Sequence, residues 1–322
     1  MHVWIVIGLL LSLISKAWAG EEYPQVEPSG YMQAYVFYKD EGDGGSDIGT
    51  VLNSIHVGFS GKINEKVEFG IELDATTNVV LDEAKIELSY LDNLVFILGQ
   101  FNVPFGVELP YDSTELLTIN RAEYWSIFDE YRTGLALAGQ NNSNTFNYEL
   151  AAFIRPQDNP NGEEPEEDYV GRVQLNTLTG VILGSSVYYD RSKDGTNNLN
   201  LTQTRFGVDA RIDRSALALW FEFMTGTDDN RPTNGSAKTQ TDYIGYYGMM
   251  GYTFKPDWQI VAKYDVYDPN THQGNDSFRR YTAGINWQVD ELIRLQANLE
   301  YSHSEPAVDP DVTSIVQFQL VY

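Results

Sequence analysis

The chain has 322 residues, with 46 Asp and Glu against 21 Lys and Arg, a formal net charge of −25 and no cysteine. The lack of cysteine excludes disulfides, thiolate metal sites, cysteine nucleophiles and lipoprotein acylation, and the acidic excess argues against nucleic acid as a partner. Aromatic residues make up 13% of the chain, and 21 of them are tyrosines. An acidic, tyrosine-rich chain of modest hydrophobicity is typical of an all-β protein.

An apolar run over residues 3–15 opens the chain and is followed by Ala17-Trp18-Ala19. Small residues at Ala17 and Ala19 are typical of a signal-peptide cleavage site. Residues 1–19 are therefore predicted to direct export, and residues 20–322 to form the mature domain. Loss of the positive Lys16 changes the formal charge from −25 to −26. No later stretch has the roughly 18 consecutive apolar residues of a membrane helix.

Apolar and polar residues alternate along most of the remaining chain. Phe69 and Ile71, for example, alternate with Glu68 and Glu72. Only an extended strand sorts such a pattern onto two faces. Sixteen strands are predicted, at 31–38, 51–60, 67–74, 81–90, 94–101, 132–139, 146–154, 169–177, 181–189, 203–212, 216–224, 243–254, 258–267, 279–289, 293–302 and 313–322.

The predicted connections alternate between short and long. The short connections are turns of three to six residues, such as 91–93 and 178–180. They alternate with long polar loops, such as 102–131 and 225–242. Connection 75–80 is the one exception, because it is short but stands where a long loop is expected. This layout is typical of an outer-membrane barrel. The predicted fold is an all-β, transmembrane antiparallel β-barrel of about 16 strands. Side chains do not fill the interior of so wide a barrel, so a water-filled lumen is expected.

The outer and terminal residues agree with a membrane barrel. Tyrosines and tryptophans near strand ends are expected to form interfacial girdles (Tyr90, Tyr169, Tyr189, Trp258, Trp287 and Tyr301). The last predicted strand alternates up to a terminal Tyr322, which resembles the recognition signal of outer-membrane barrels. The expected partners of the outer face are outer-membrane lipid and lipopolysaccharide, and the expected location is the cell outer membrane.

Residues 81–108 read LDEAKIELSYLDNLVFILGQFNVPFGVE. The stretch Gly99-Gln100-Phe101, followed by Pro104-Phe105-Gly106, resembles the phosphate-selective porin O/P family. The resemblance implies a homotrimeric channel that passes small hydrophilic solutes or ions by diffusion, without a cofactor. It also implies that loop 102–131, between strands 5 and 6, folds into the lumen and constricts the pore.

Two sets of charged residues are candidates for the pore. The constriction loop offers Glu108, Asp112, Glu115, Arg121, Glu123, Asp129 and Glu130, a net charge of −5. The barrel wall offers Arg132, Arg172, Arg205, Arg211, Lys263 and Arg280. Acids on an inserted loop that face basic wall residues resemble the eyelet of general diffusion porins. An Asp112–Glu115 capping pattern further predicts a helical turn within the loop.

The family resemblance and the charged residues of the loop predict different ion selectivities. The family resemblance implies a phosphate- or anion-selective porin, whereas the acidic loop favours weak cation preference or little selectivity. A structural or adhesive barrel without an open pore is the alternative from another class. An enzyme is disfavoured, because Gly274 stands where an outer-membrane phospholipase would have its serine near His272. No metal site is predicted, and His56 is interpreted as a lumen-lining residue.

Overall fold

The computed structural model describes residues 23–155, 166–177, 180–194, 199–230, 239–307 and 309–322, so the predicted signal peptide lies outside the described residues. The strands are β1 Gln25–Asp40, β2 Ser46–Asn64, β3 Val67–Asp74, β4 Val80–Leu91, β5 Leu94–Asn102, β6 Tyr131–Gln140, β7 Phe146–Arg155, β8 Glu166–Asn176, β9 Val181–Asp194, β10 Leu199–Arg214, β11 Leu217–Asn230, β12 Thr239–Lys255, β13 Trp258–Asp268, β14 Phe278–Gln288, β15 Ile293–Ser304 and β16 Asp311–Val321. One 3₁₀ helix, η1 Glu123–Ile127, lies between β5 and β6.

Each strand pairs antiparallel with its neighbour in the chain, and β1 pairs with β16 to close the sheet. Tyr31 lies opposite Val321 at this closure. The predicted sixteen-stranded closed barrel is confirmed, and each predicted strand corresponds to an observed one. Within the described ranges, no helix is long and apolar enough to cross a membrane.

The outer face of the barrel is apolar and the inner face is polar, as the alternation of residues along the strands predicts. Large apolar side chains such as Leu135 and Val187 are exposed on the outer face. Charged and amide side chains such as Glu222, Lys263 and Gln296 are buried on the inner face. The barrel therefore has an apolar exterior and a polar interior, as in an outer-membrane barrel.

Several strands extend beyond their predicted ends. β1 continues to Asp40 and β2 begins at Ser46, so their connection is 41–45 rather than the predicted 39–50. The added residues are mostly polar and do not alternate clearly, so no side-chain pattern marks them. The ladder continues through them because backbone N–H and C=O groups pair regardless of side chain.

Candidate functional site

Residues 103–130 connect β5 to β6 and contact the inner face of the barrel. The segment begins where Pro104, which lacks an N–H, follows β5. Gly106 then takes a left-handed φ of 65°. A Cβ at this position would overlap the carboxylate of Glu222 on β11. Glycine is therefore required for the backbone to approach that side chain.

Glu222 binds the start of this segment. Its side chain is fully buried, and its Oε2 accepts the backbone N–H groups of Val107 at 3.0 Å and Glu108 at 3.5 Å. The Gly106 N–H donates to Ser186 Oγ at 3.1 Å. Sequence reasoning missed Glu222, although a carboxylate on the same face of a strand as Trp220 and Met224 was a usable signal.

Glu108 forms a buried ion pair with the wall. Its Oε1 lies 2.5 Å from Nζ of Lys263 on β13, and its Oε2 accepts the N–H of Ala122 at 2.8 Å. The two charged side chains are 1% and 0% exposed. One carboxylate thus connects two parts of the segment to the barrel wall.

The far part of the segment reaches β14–β16 and β1. Asn286 donates to the carbonyl of Leu117 at 2.9 Å, and Asn298 accepts the Ile119 N–H at 2.8 Å. Ser113 donates to Gln33 at 3.1 Å. Hydrogen bonds to wall side chains therefore extend across the barrel from β11 to β1.

The helical turn predicted at Asp112–Glu115 is present as a single hydrogen-bonded turn rather than as a helix. Asp112 Oδ1 accepts the Thr114 N–H at 2.7 Å, and the Glu115 N–H donates to the Asp112 carbonyl at 3.0 Å. These bonds make a single turn, because the Asp side chain takes up the N–H two residues ahead. The one helix of the described part of this segment is η1, farther along.

Aromatic side chains pack η1 against the wall. Tyr124 and Trp125 are buried, and Tyr124 stacks on Tyr247 of β12 with a centroid distance of 6.4 Å. Trp125 packs on Phe128 at 5.1 Å. The preceding Glu123 donates its N–H to Asp265 at 3.1 Å. Burial raises the pKa of the Glu123 carboxyl, against the opposing charge of Arg280.

Arg121 and Glu130 join the two ends of the segment. Arg121 donates to the Tyr111 carbonyl at 2.7 Å and to Glu130 Oε1 at 3.1 Å, and it also contacts the Glu108 carbonyl. Burial raises the pKa of Glu130, and Arg121 opposes that shift. Asp112 and Asp82 act on Glu130 as further negative charges.

The predicted basic wall residues all have acidic or aromatic partners. Arg132 contacts Asp168 and lies 3.1 Å from Asp129. Arg172 makes two hydrogen bonds to Asp209, at 2.7 and 3.0 Å. The structure thus brings the loop's Asp129 to the wall's Arg132, as it brings Glu108 to Lys263.

The remaining three arginines also have partners. Arg205 donates to the Tyr243 hydroxyl at 2.8 Å, and Arg211 lies 2.9 Å from Asp213. Arg280 donates to Asp265 at 3.0 and 3.2 Å. The acidic partners on the wall were the main omission of the sequence analysis. The period of two along a strand places Asp209, for example, on the same face as Arg205 and Arg211.

Acids also dominate the wall formed by β2, β3 and β4. His56 Nδ1 lies 2.8 Å from Glu72 and 3.3 Å from Asp82. Asp74 lies next to them, and the ligand atoms of His56, Asp74 and Asp82 are all within 4.8 Å of one another. Of the predicted loop acids, Glu115 is exposed and belongs to none of these clusters.

A closed sixteen-stranded barrel with an apolar exterior and a polar interior is the architecture of a porin. The solved outer-membrane channel DcaP of Acinetobacter baumannii is similar, with a TM-score of 0.74, 11% identity and coverage of 93% of this chain and 97% of that chain. The anion-selective porin from Comamonas acidovorans has a TM-score of 0.72, 12% identity and coverage of 93% and 100%. The trimer form of OmpT from Vibrio cholerae has a TM-score of 0.69, 11% identity and coverage of 94% and 100%.

At these identities the likeness concerns the fold. No curated protein sequence matches the chain. The model of the family "Phosphate-selective porin O and P" matches residues 29–221 and 185–322. The chain belongs to this family, and it forms an outer-membrane channel for the passive diffusion of small hydrophilic solutes.

Proposed function

We propose that the protein is a diffusion porin with a preference for cations, and that residues 103–130 narrow its lumen. The observation that carries this proposal is the asymmetry of the inner face. The six basic wall residues are engaged with carboxylates or a tyrosine hydroxyl, whereas β2–β4 present Glu72, Asp74 and Asp82 to one imidazole. Glu130 adds a carboxylate from the loop to the same region.

Free space inside the barrel lies along β1–β8. A cavity of about 480 Å³ is lined by residues of β4–β8 that include Glu149 and Arg172. A cavity of about 310 Å³ is lined along β1–β4 by residues that include Glu68, Glu83, Lys85 and Glu87. Residues 103–130 instead pack mainly on β9–β16 and β1. Solutes are therefore expected to pass along the acidic side, where charge on the lining determines which ion is favoured.

Anion selectivity is the second candidate, and Arg294 is the observation in its favour. Among the described residues this arginine forms no ion pair, and its hydrogen bonds go to Gln296 and Gln319, each at 3.0 Å. A cation without a carboxylate partner on the inner face attracts anions. The family's description points in the same direction.

Reversal potentials of single channels in a KCl gradient decide between the two. We expect the potential to have the sign of potassium permeation. Strong anion selectivity, with current blocked by phosphate, would refute cation preference. Replacing Arg294 by Gln should then abolish the anion selectivity if the second candidate is correct.

The assembly and partners follow from the same proposal. We propose a homotrimer, supported by the similarity to OmpT in its trimer form. Lipid and lipopolysaccharide are the proposed partners of the exposed apolar face. Conduction by diffusion requires no catalytic group, so no enzymatic activity is proposed. Light scattering in detergent, with the detergent mass subtracted, should give the mass of three chains.

A further inference from the structure

We infer that His56, Asp82, Asp74 and Glu72 form a binding site for a divalent transition-metal cation inside the lumen. The site refines the proposed function, because it rests on these residues facing the conducting path. It also revises the interpretation of His56 as a lumen-lining residue without a ligand role. The argument begins with how the strands bring these four side chains together.

Strand register supplies two of the carboxylates. His56 on β2 lies directly opposite Asp74 on β3, and Gly58 lies opposite Glu72. The period of two along β3 places Glu72 and Asp74 on the same face as His56. Glu72 Oε1 accordingly lies 2.8 Å from His56 Nδ1.

A β-bulge supplies the third carboxylate. Between β3 and β4, Glu72 pairs with Glu83 but Leu73 pairs with Leu81, so Asp82 is an extra residue on β4. Without the bulge, alternation would place Asp82 on the face opposite Glu83, towards lipid. The extra residue shifts the alternation, and Asp82 Oδ2 lies 3.3 Å from His56 Nδ1. Bulges often re-aim a side chain at a functional position in this way.

The distances and the charge suit a metal ion. A tetrahedral ion with bonds of about 2.1 Å has ligand atoms about 3.4 Å apart, close to the 3.3 Å between His56 Nδ1 and Asp82 Oδ2. The 2.8 Å between His56 Nδ1 and Glu72 Oε1 is the distance of a hydrogen bond. One imidazole neutralises at most one of the three carboxylates, and among the described residues no lysine or arginine pairs with Glu72, Asp74 or Asp82. Imidazole with carboxylates suits zinc and its first-row neighbours better than magnesium or calcium.

Neighbouring groups hold the ligands in place. The His56 ring stacks on Tyr31 with a centroid distance of 4.5 Å and an interplanar angle of 9°. Asp74 Oδ1 accepts the Thr76 N–H at 2.7 Å, and Thr76 Oγ1 accepts the Ile55 N–H at 2.8 Å. Such partners orient metal ligands and limit their rearrangement.

Calorimetry with ZnCl₂ tests the site on full-length mature protein in detergent, stripped by chelator and purified without a histidine tag. We expect one zinc ion per chain. His56→Ala and Asp82→Asn should each weaken binding by at least the roughly 10–100-fold that follows loss of an outer partner. The matched control is His272→Ala, because exposed His272 lies 2.8 Å from the single carboxylate of Asp242. This control should bind zinc like the wild type.

No zinc uptake by the wild type, or equal uptake by His56→Ala, would overturn the site. If His56→Ala fails to show the heat-dependent gel shift of a folded barrel, Asp82→Asn provides the same comparison. A second measurement follows potassium current in planar bilayers. Added ZnCl₂ should reduce the wild-type current and leave that of His56→Ala unchanged.

The two experiments separate this inference from the proposed function. If calorimetry shows zinc binding but zinc does not change the potassium current, the site does not lie in the conducting path. This result would overturn the position of the site and would not contradict the proposed channel. Zinc binding without any potassium current would instead refute the channel and support the site.

Discussion

The buried ion pair between Glu108 and Lys263 makes a strong prediction about residues 103–130. Replacing Lys263 by Met leaves the Glu108 carboxylate without a cation in a position where it is 1% exposed. Removing one partner of such a buried pair typically costs about 3–5 kcal/mol. The hydrogen bond from Ala122 to Glu108 remains but does not replace the lost charge.

This cost is expected to release the segment rather than unfold the barrel, because the closed backbone ladder does not depend on the pair. A loss of about 3 kcal/mol lowers the ratio of docked to released segment by about a hundredfold. Single-channel recordings should show larger and noisier currents. Amide hydrogen exchange should accelerate within 103–130 and stay unchanged in β1–β16.

Two further variants serve as controls. Adding Glu108→Gln to Lys263→Met removes the unpaired charge and should restore most of the docking. Lys62→Met breaks the ion pair to Glu68 at 3.1 Å, where both side chains are about half exposed and water screens their charges, so this variant should have little effect on docking. If Lys263→Met left exchange in 103–130 as slow as Lys62→Met does, the buried pair would not hold the segment.

Three other outcomes are expected. Deleting Asp112–Tyr124 should enlarge single-channel conductance while the barrel keeps its β-type circular dichroism, and an unchanged conductance would place this segment outside the pore. Replacing Glu115, Glu123 and Asp129 by their amides should move the reversal potential towards anion permeation, and a shift in the opposite direction would contradict the charge argument. Burial raises the pKa of Glu123 and Glu130, so lowering the pH should neutralise both before an ordinary glutamate and reduce cation preference. Gln at both positions should remove this part of the pH dependence in the same recordings.

The architecture of this protein was predictable from the sequence because strand formation is local. Alternation along Val67–Asp74, for instance, was sufficient to place that strand with its observed bounds. The stretch around Pro104 and Gly106 indicated where the chain leaves the wall. Loop lengths were predicted less well, since backbone pairing continues through polar residues that show no alternation.

The candidate site depended on tertiary structure, because its partners are far apart in the chain. Lys263 and Glu108 are separated by 155 positions, and no local pattern indicates that they meet. The bulge that turns Asp82 towards His56 is likewise a property of pairing between two strands. Periodicity specifies the face on which a side chain lies, whereas register, closure and the path of residues 103–130 decide which charge it meets.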